Sequence, residues 1–77
     1  MTKEEIREIV LNAIRRIAPE ADLEQLDPHI PYRDQFDFDS VDFVNLMEQL
    51  GQAFNRKIPE TDYPALATLG GCLAYLG

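Results

Sequence analysis

Apolar side chains recur at helical spacing in several places along this chain. Ile6, Ile9, Val10, Ala13, Ile14 and Ile17 fall at i, i+3, i+4, i+7, i+8 and i+11, the stripe of a helix buried on one face. "TKEE" at its start matches a capping box, with Thr2 as N-cap and Glu5 reaching back, and Pro19 stops the helix. A second stripe begins at "DSVD" and runs through Phe43, Leu46, Met47, Leu50 and Phe54, while Asn45, Glu48 and Gln52 face away from it. Val41 also falls on the polar side, nearly opposite Leu50. Arg56 and Lys57 follow, where cations suit a helix C-terminus. Thr61 is placed to cap a short turn through "DYPAL", because Pro64 is tolerated near a helix start. Thr68 then caps a last short helix, "LGGCLAYL", with Leu69, Cys72, Leu73 and Leu76 on one face. Gly70 and Gly71 cost that helix about 1 kcal/mol each relative to alanine, so packing must hold it.

Between the first two stripes lies a connection from Pro19 to Asp39, much longer than the usual loop of about four to six residues. Leu23, Leu26, Ile30, Tyr32, Phe36 and Phe38 give it apolar anchors throughout, and Pro28 and Pro31 restrict its backbone. It reads as an ordered crossover packed over the helix ends. The expected fold is all-α: one domain over residues 1–77, a small four-helix bundle of three main helices and one short helix, with a long ordered first loop.

Charge narrows the partners. The 77 residues carry fourteen Asp and Glu against seven Lys and Arg, a formal net charge of −7. The imbalance lies beyond the first helix: the first eighteen residues are net +1, and the remainder net −8. Such a surface argues against nucleic acid and anionic membrane as partners, since both require cations to displace counterions, and suits proteins with basic patches. One cysteine, Cys72, forms no internal disulfide, and the charged N-terminus has no apolar signal core. A cytoplasmic monomer is expected.

Side-chain chemistry suited to catalysis is sparse. His29 stands alone between two prolines and reads as a solvated loop residue; Cys72 lies on an apolar stripe and reads as an inert core thiol. A chain this short encloses little volume for a Ser-His-Asp site built from Ser40 and His29. Asp37, Asp39 and Glu48 fall at positions 1, 3 and 12 of a calcium loop. Val41 stands where that loop needs an oxygen donor and Asp42 where it needs glycine, so no metal site is expected. The start of the second helix is more informative. With Asp39 as N-cap and Asp42 completing the box, Ser40 is the first helical residue and its hydroxyl is not consumed by capping. A helix start favours an anionic group such as phosphate, although "DS" is also a common helix-start dipeptide.

"DFDSVDF" resembles the Asp-Ser-Leu attachment motif of acyl carrier proteins, with Val41 in place of leucine. The long apolar-anchored first loop, "AF" at Ala53–Phe54, "KIPE" after it and the terminal "LAYL" also fall where that family has equivalents. The resemblance implies a non-enzymatic carrier with 4'-phosphopantetheine on Ser40 and Asp39 beside it, the arm's thiol holding acyl groups as thioesters. It further implies a phosphopantetheinyl transferase, an acyl-loading ligase or transferase and downstream acyl-processing enzymes as partners. Partner recognition falls to Asp39, Val41, Asp42, Asn45 and Glu48, and the acyl-chain pocket to Phe43, Leu46, Met47, Leu50, Phe54, Ile58 and Leu66. Housekeeping fatty-acid carriers bear several glutamates along the second helix. Asn45, Gly51, Gln52 and Ala53 stand in that region here, which points to a free-standing carrier for a specialised lipid or secondary-metabolite pathway. The competing expectation is a carrier-like helical module that is never modified and only docks a partner.

Overall fold

In the computed structural model, which describes all of Met1–Gly77, the first helix, α1, runs Lys3–Ile17. Its capping box is formed as expected: the Glu5 amide donates to the Thr2 hydroxyl at 3.2 Å and the Thr2 amide to Glu5 Oε1 at 2.9 Å. Ile6, Val10, Ala13 and Ile14 are buried, and so is Leu11, which the single stripe omits. The cause is that α1 packs against two helices at once, so its apolar arc is wider than one stripe.

The long connection is ordered by two short turns that its sequence does not announce. A 3-10 turn spans Leu23–Gln25, started by the Asp22 side chain, and a one-turn helix, α2, spans Tyr32–Gln35. Gln35 ties the bend between them, accepting from the Asp27 amide and donating to the Asp27 and Ile30 carbonyls. Leu23, Leu26, Tyr32 and Phe38 are buried anchors, and Phe36 is half-buried. Ile30 is not an anchor; it is 39% exposed, at the tip of the Asp27–Ile30 turn. Tyr32, Phe36 and Phe38 form an aromatic trio with ring centres 5.8–6.1 Å apart. Two backbone bonds fasten this loop to the start of the last helix, from the Gly70 amide to the Pro28 carbonyl and from the Tyr32 amide to the Ala67 carbonyl.

The helix α3 runs Ser40–Ala53 and buries Leu46, Met47, Leu50 and Gly51 against α1. It ends through backbone geometry rather than through Arg56 and Lys57, which lie beyond it. Asn55 takes a left-handed φ of 52°, its amide returns to the Gln52 carbonyl, and the Arg56 amide returns to the Gly51 carbonyl. This is a Schellman closure with asparagine in the place where glycine is commonest. The next segment, Glu60–Leu66, is a 3-10 helix with Pro59 at its N-cap position and no side-chain cap. Thr61 therefore lies inside it and caps nothing, and Pro64 is accommodated within it. The last helix, α4, spans Leu69–Leu76 with Thr68 as cap, its hydroxyl accepting from the Gly71 amide at 2.9 Å.

The architecture is thus an all-α bundle in which α1, α3 and α4 enclose a core of seventeen buried apolar residues. Val10, Ile14, Leu46, Leu50, Leu66 and Cys72 show no exposed surface. Each large side chain so buried contributes about 1.5–3 kcal/mol against the entropy cost of folding. No helix is long and apolar enough to cross a membrane.

Candidate functional site

Ser40 is exposed at the first turn of α3, and the geometry around it follows from the residue before it. Asp39 is the N-cap, with extended backbone; its Oδ1 accepts from the Asp42 amide at 2.9 Å, and Asp42 Oδ2 accepts from the Asp39 amide at 3.3 Å. The helix start has four amides without intrahelical partners, and this reciprocal box satisfies two of them. Those of Ser40 and Val41 keep no protein acceptor, and the Ser40 hydroxyl makes no hydrogen bond within the protein. A free hydroxyl thus stands beside two free N–H groups at the positive end of a helix dipole, an arrangement that favours an attached anion.

Beside it lies a half-enclosed groove of about 480 Å³. Three segments wall it: Pro31, Tyr32 and Arg33 around α2; Phe38, Asp39, Ser40, Phe43 and Val44 at the start of α3; and Tyr63, Pro64 and Ala67 in and after the 3-10 helix. Phe43 and Tyr63 meet edge to face, ring centres 5.7 Å apart, and brace α3 against the 3-10 segment.

The residues expected to meet partners are distributed along the outer side of α3. Asp39, Asn45 and Glu48 are exposed, Asp42 is half-buried, and Val41 is 68% exposed, with Val44 also exposed on the following turn. Of the seven residues expected to line an acyl pocket, Phe43 alone borders the groove at Ser40. Met47 and Ile58 border a second hollow at the far end of α3, together with Glu48. Leu46, Leu50 and Leu66 are fully enclosed in the core, and Phe54 is half-buried at the helix end. Arg33, Tyr63 and the groove itself were not foreseen. The one signal for Arg33 is its isolation: it is the only Lys or Arg between Arg16 and Arg56.

His29 is exposed, its amide turned to Asp27 Oδ1, and no three His, Cys, Asp or Glu side chains converge as a metal site. Cys72 is fully buried, with Sγ 3.3 Å from the Tyr32 hydroxyl and 3.3 Å from the Leu66 carbonyl oxygen. Burial pushes its thiol up to about 11, so it is not a nucleophile near neutrality. The Tyr32 hydroxyl is also raised, by burial first and by Cys72 second.

Two comparisons bear on this site. A protein-family model described as "Phosphopantetheine attachment site" matches residues 5–76. An acyl carrier protein of Lactobacillus johnsonii is 32% identical over 79 aligned positions, covering 99% of this chain and 94% of that relative.

Proposed function

Because the chain belongs to the acyl carrier protein family, whose members are carriers and not catalysts, we propose that Ser40 is its attachment point for 4'-phosphopantetheine. The observation that carries this reading is the free, exposed Ser40 hydroxyl at the first position of α3, within the span that matches the family. The residues fit such a group. Asp39 holds the helix start without drawing on the serine oxygen, the Ser40 and Val41 amides remain open to a phosphate, and a partly apolar groove adjoins them.

The arm, when attached, supplies a thiol on which an acyl group is held as a thioester. The protein's part is to position and present. The capping box keeps Ser40 at the surface, and the packed core gives it a rigid base. Asp39 and Asp42 put negative charge beside the serine, suited to a transferase and to acyl-loading and acyl-processing enzymes with basic patches. Exposed Val41, flanked by those acids, offers an apolar contact to the same partners, with Asn45 and Glu48 further along the face. The polar but uncharged Asn45 and Gln52 on this helix support a specialised lipid or secondary-metabolite pathway over housekeeping fatty-acid synthesis.

Incubation with coenzyme A and a broad-specificity phosphopantetheinyl transferase, followed by intact-mass measurement, tests the assignment. The wild type gains the mass of one arm and Ser40→Ala gains none. Equal gain in both proteins would move the site elsewhere, and no gain in wild type would favour the unmodified docking module.

A further inference from the structure

The groove beside Ser40 contains a cation with nothing to bind. Arg33 lies on its α2 wall, and its guanidinium makes no hydrogen bond within the protein and no ion pair within 4.0 Å. What sets it apart is its position: the segment between Arg16 and Arg56 holds nine Asp and Glu and no other Lys or Arg. The nearest acids in sequence, Asp34 and Asp37, leave Arg33 unpaired, and the groove's own acid, Asp39, is committed to the helix cap. One groove therefore joins an unspent hydroxyl to an unspent guanidinium across mostly apolar walls.

We propose that Arg33 receives the phosphodiester of the arm carried on Ser40 and that the groove seats the arm itself; this rests on the attachment proposed above. The charge match selects this occupant, because the phosphodiester is an anion delivered to the groove by the covalent bond to Ser40. A guanidinium suits it better than an ammonium, having planar paired donors for phosphate oxygens. The groove's volume, about 480 Å³, lies within the range of small-molecule sites. Tethering makes weak contacts sufficient, since the arm is present at high effective concentration. A pair this exposed biases seated over free arm only about two- to fivefold, so a partner enzyme can draw the arm out. The Tyr63 ring, packed on Phe43, lines the same groove as Arg33.

The experiment uses the intact chain, isotope-labelled, converted with coenzyme A and the transferase, with conversion verified by mass. Amide shifts on conversion, and the phosphorus resonance of the arm, are compared between wild type and Arg33→Gln, with unconverted spectra confirming that each is folded. In wild type, conversion shifts Tyr32, Arg33, Tyr63 and Ala67 as well as the turn at Ser40. In Arg33→Gln the shifts at Tyr32, Tyr63 and Ala67 shrink about two- to fivefold and the phosphorus resonance moves. Raising the salt concentration reproduces the effect in wild type. Three results would overturn the proposal: shifts confined to Ser40 and its neighbours, identical patterns in the two proteins, or wall shifts that appear only after an acyl group is loaded. Absence of any mass gain would instead strike the attachment at Ser40, and this inference would fall with it.

Discussion

Gly71→Ala sets two physical effects against each other, and the structure decides the sign. Gly71 lies in the first turn of α4, an element whose interior normally gains about 1 kcal/mol when glycine becomes alanine. A Cβ at this position would sit 2.0 Å from the Ala65 carbonyl oxygen and 3.1 Å from both the Ala65 carbonyl carbon and the Thr68 hydroxyl. Relief cannot come from a side-chain rotation, because the obstructing atom belongs to the backbone of the Glu60–Leu66 helix. Moving it displaces the segment that carries Tyr63 and Pro64, and it threatens the Thr68 cap, worth about 1 kcal/mol. Overpacking of this kind costs about 1–3 kcal/mol, and loss of the cap would add to that. The net destabilisation is about 1–3 kcal/mol after the propensity gain is deducted, or a Tm lower by roughly 5–20 °C for a domain of this size. Urea and thermal denaturation followed by circular dichroism measure it. Gly70→Ala is the comparison, because its Cβ would stand 3.0 Å from the Pro28 carbonyl oxygen, which needs to give by only a few tenths of an ångström where Ala65 would have to move by about an ångström. A Gly71→Ala protein as stable as wild type would refute the reasoning, since propensity would then outweigh the close approach of Ala65.

The other expectations concern the start of α3 and the buried thiol. Asp39→Ala should lose about 1 kcal/mol in denaturant titration while Asp39→Asn stays within a few tenths, because asparagine keeps an acceptor for the Asp42 amide; equal losses would assign the effect to charge. Reversing charge at Asp39 or Asp42 should slow transferase modification more than reversal at Glu4 or Glu8 on α1, measured by mass against time with stability checked in parallel. Equal slowing at all four would mean that only net charge matters. Cys72 ionises near pH 9 when unfolded and at about 11 when folded, so its burial favours the native state fully below pH 9. That contribution is lost as pH rises from about 9 to about 11, and Tyr32, shifted in the same direction, steepens the loss. Stability measured across this range should fall less steeply in Cys72→Ala, and an unchanged slope would show that the thiol does not contribute.

What could be read from the chain alone was whatever is local. The boxes at Thr2–Glu5 and Asp39–Asp42 lie within one helical turn, and each was legible because the donor, the acceptor and the apolar stripe behind them are close in sequence. The same holds for Thr68, and for Val41 on the outer face of α3. Features made by distant segments were not legible. Leu11 is buried because two helices cover α1, and the Tyr32–Cys72 contact joins residues forty positions apart. The groove requires α2, the first turn of α3 and the Glu60–Leu66 helix to meet, and no one of those segments carries a pattern that announces the others. Thr61 and Ile30 failed for a different reason. Each has the right residue type for a cap or an anchor, but Pro59 starts the 3-10 helix two residues earlier and a Gln35-tied bend turns Ile30 outward.

The availability of Ser40 depends on where α3 begins, to within a single residue. A start one position later would make serine the N-cap, and its oxygen would then accept from the helix amides instead of standing free. Two local devices hold the start in place. The reciprocal box fixes Asp39 as cap from both directions, and the residue before it, Phe38, is anchored in the core. Phe38 is 5% exposed and belongs to the aromatic trio, so a shift in register would pull it from the core. The acids and phenylalanines around the serine thus act on it indirectly: by committing themselves to cap and core, they leave its hydroxyl as the uncommitted group at the helix start.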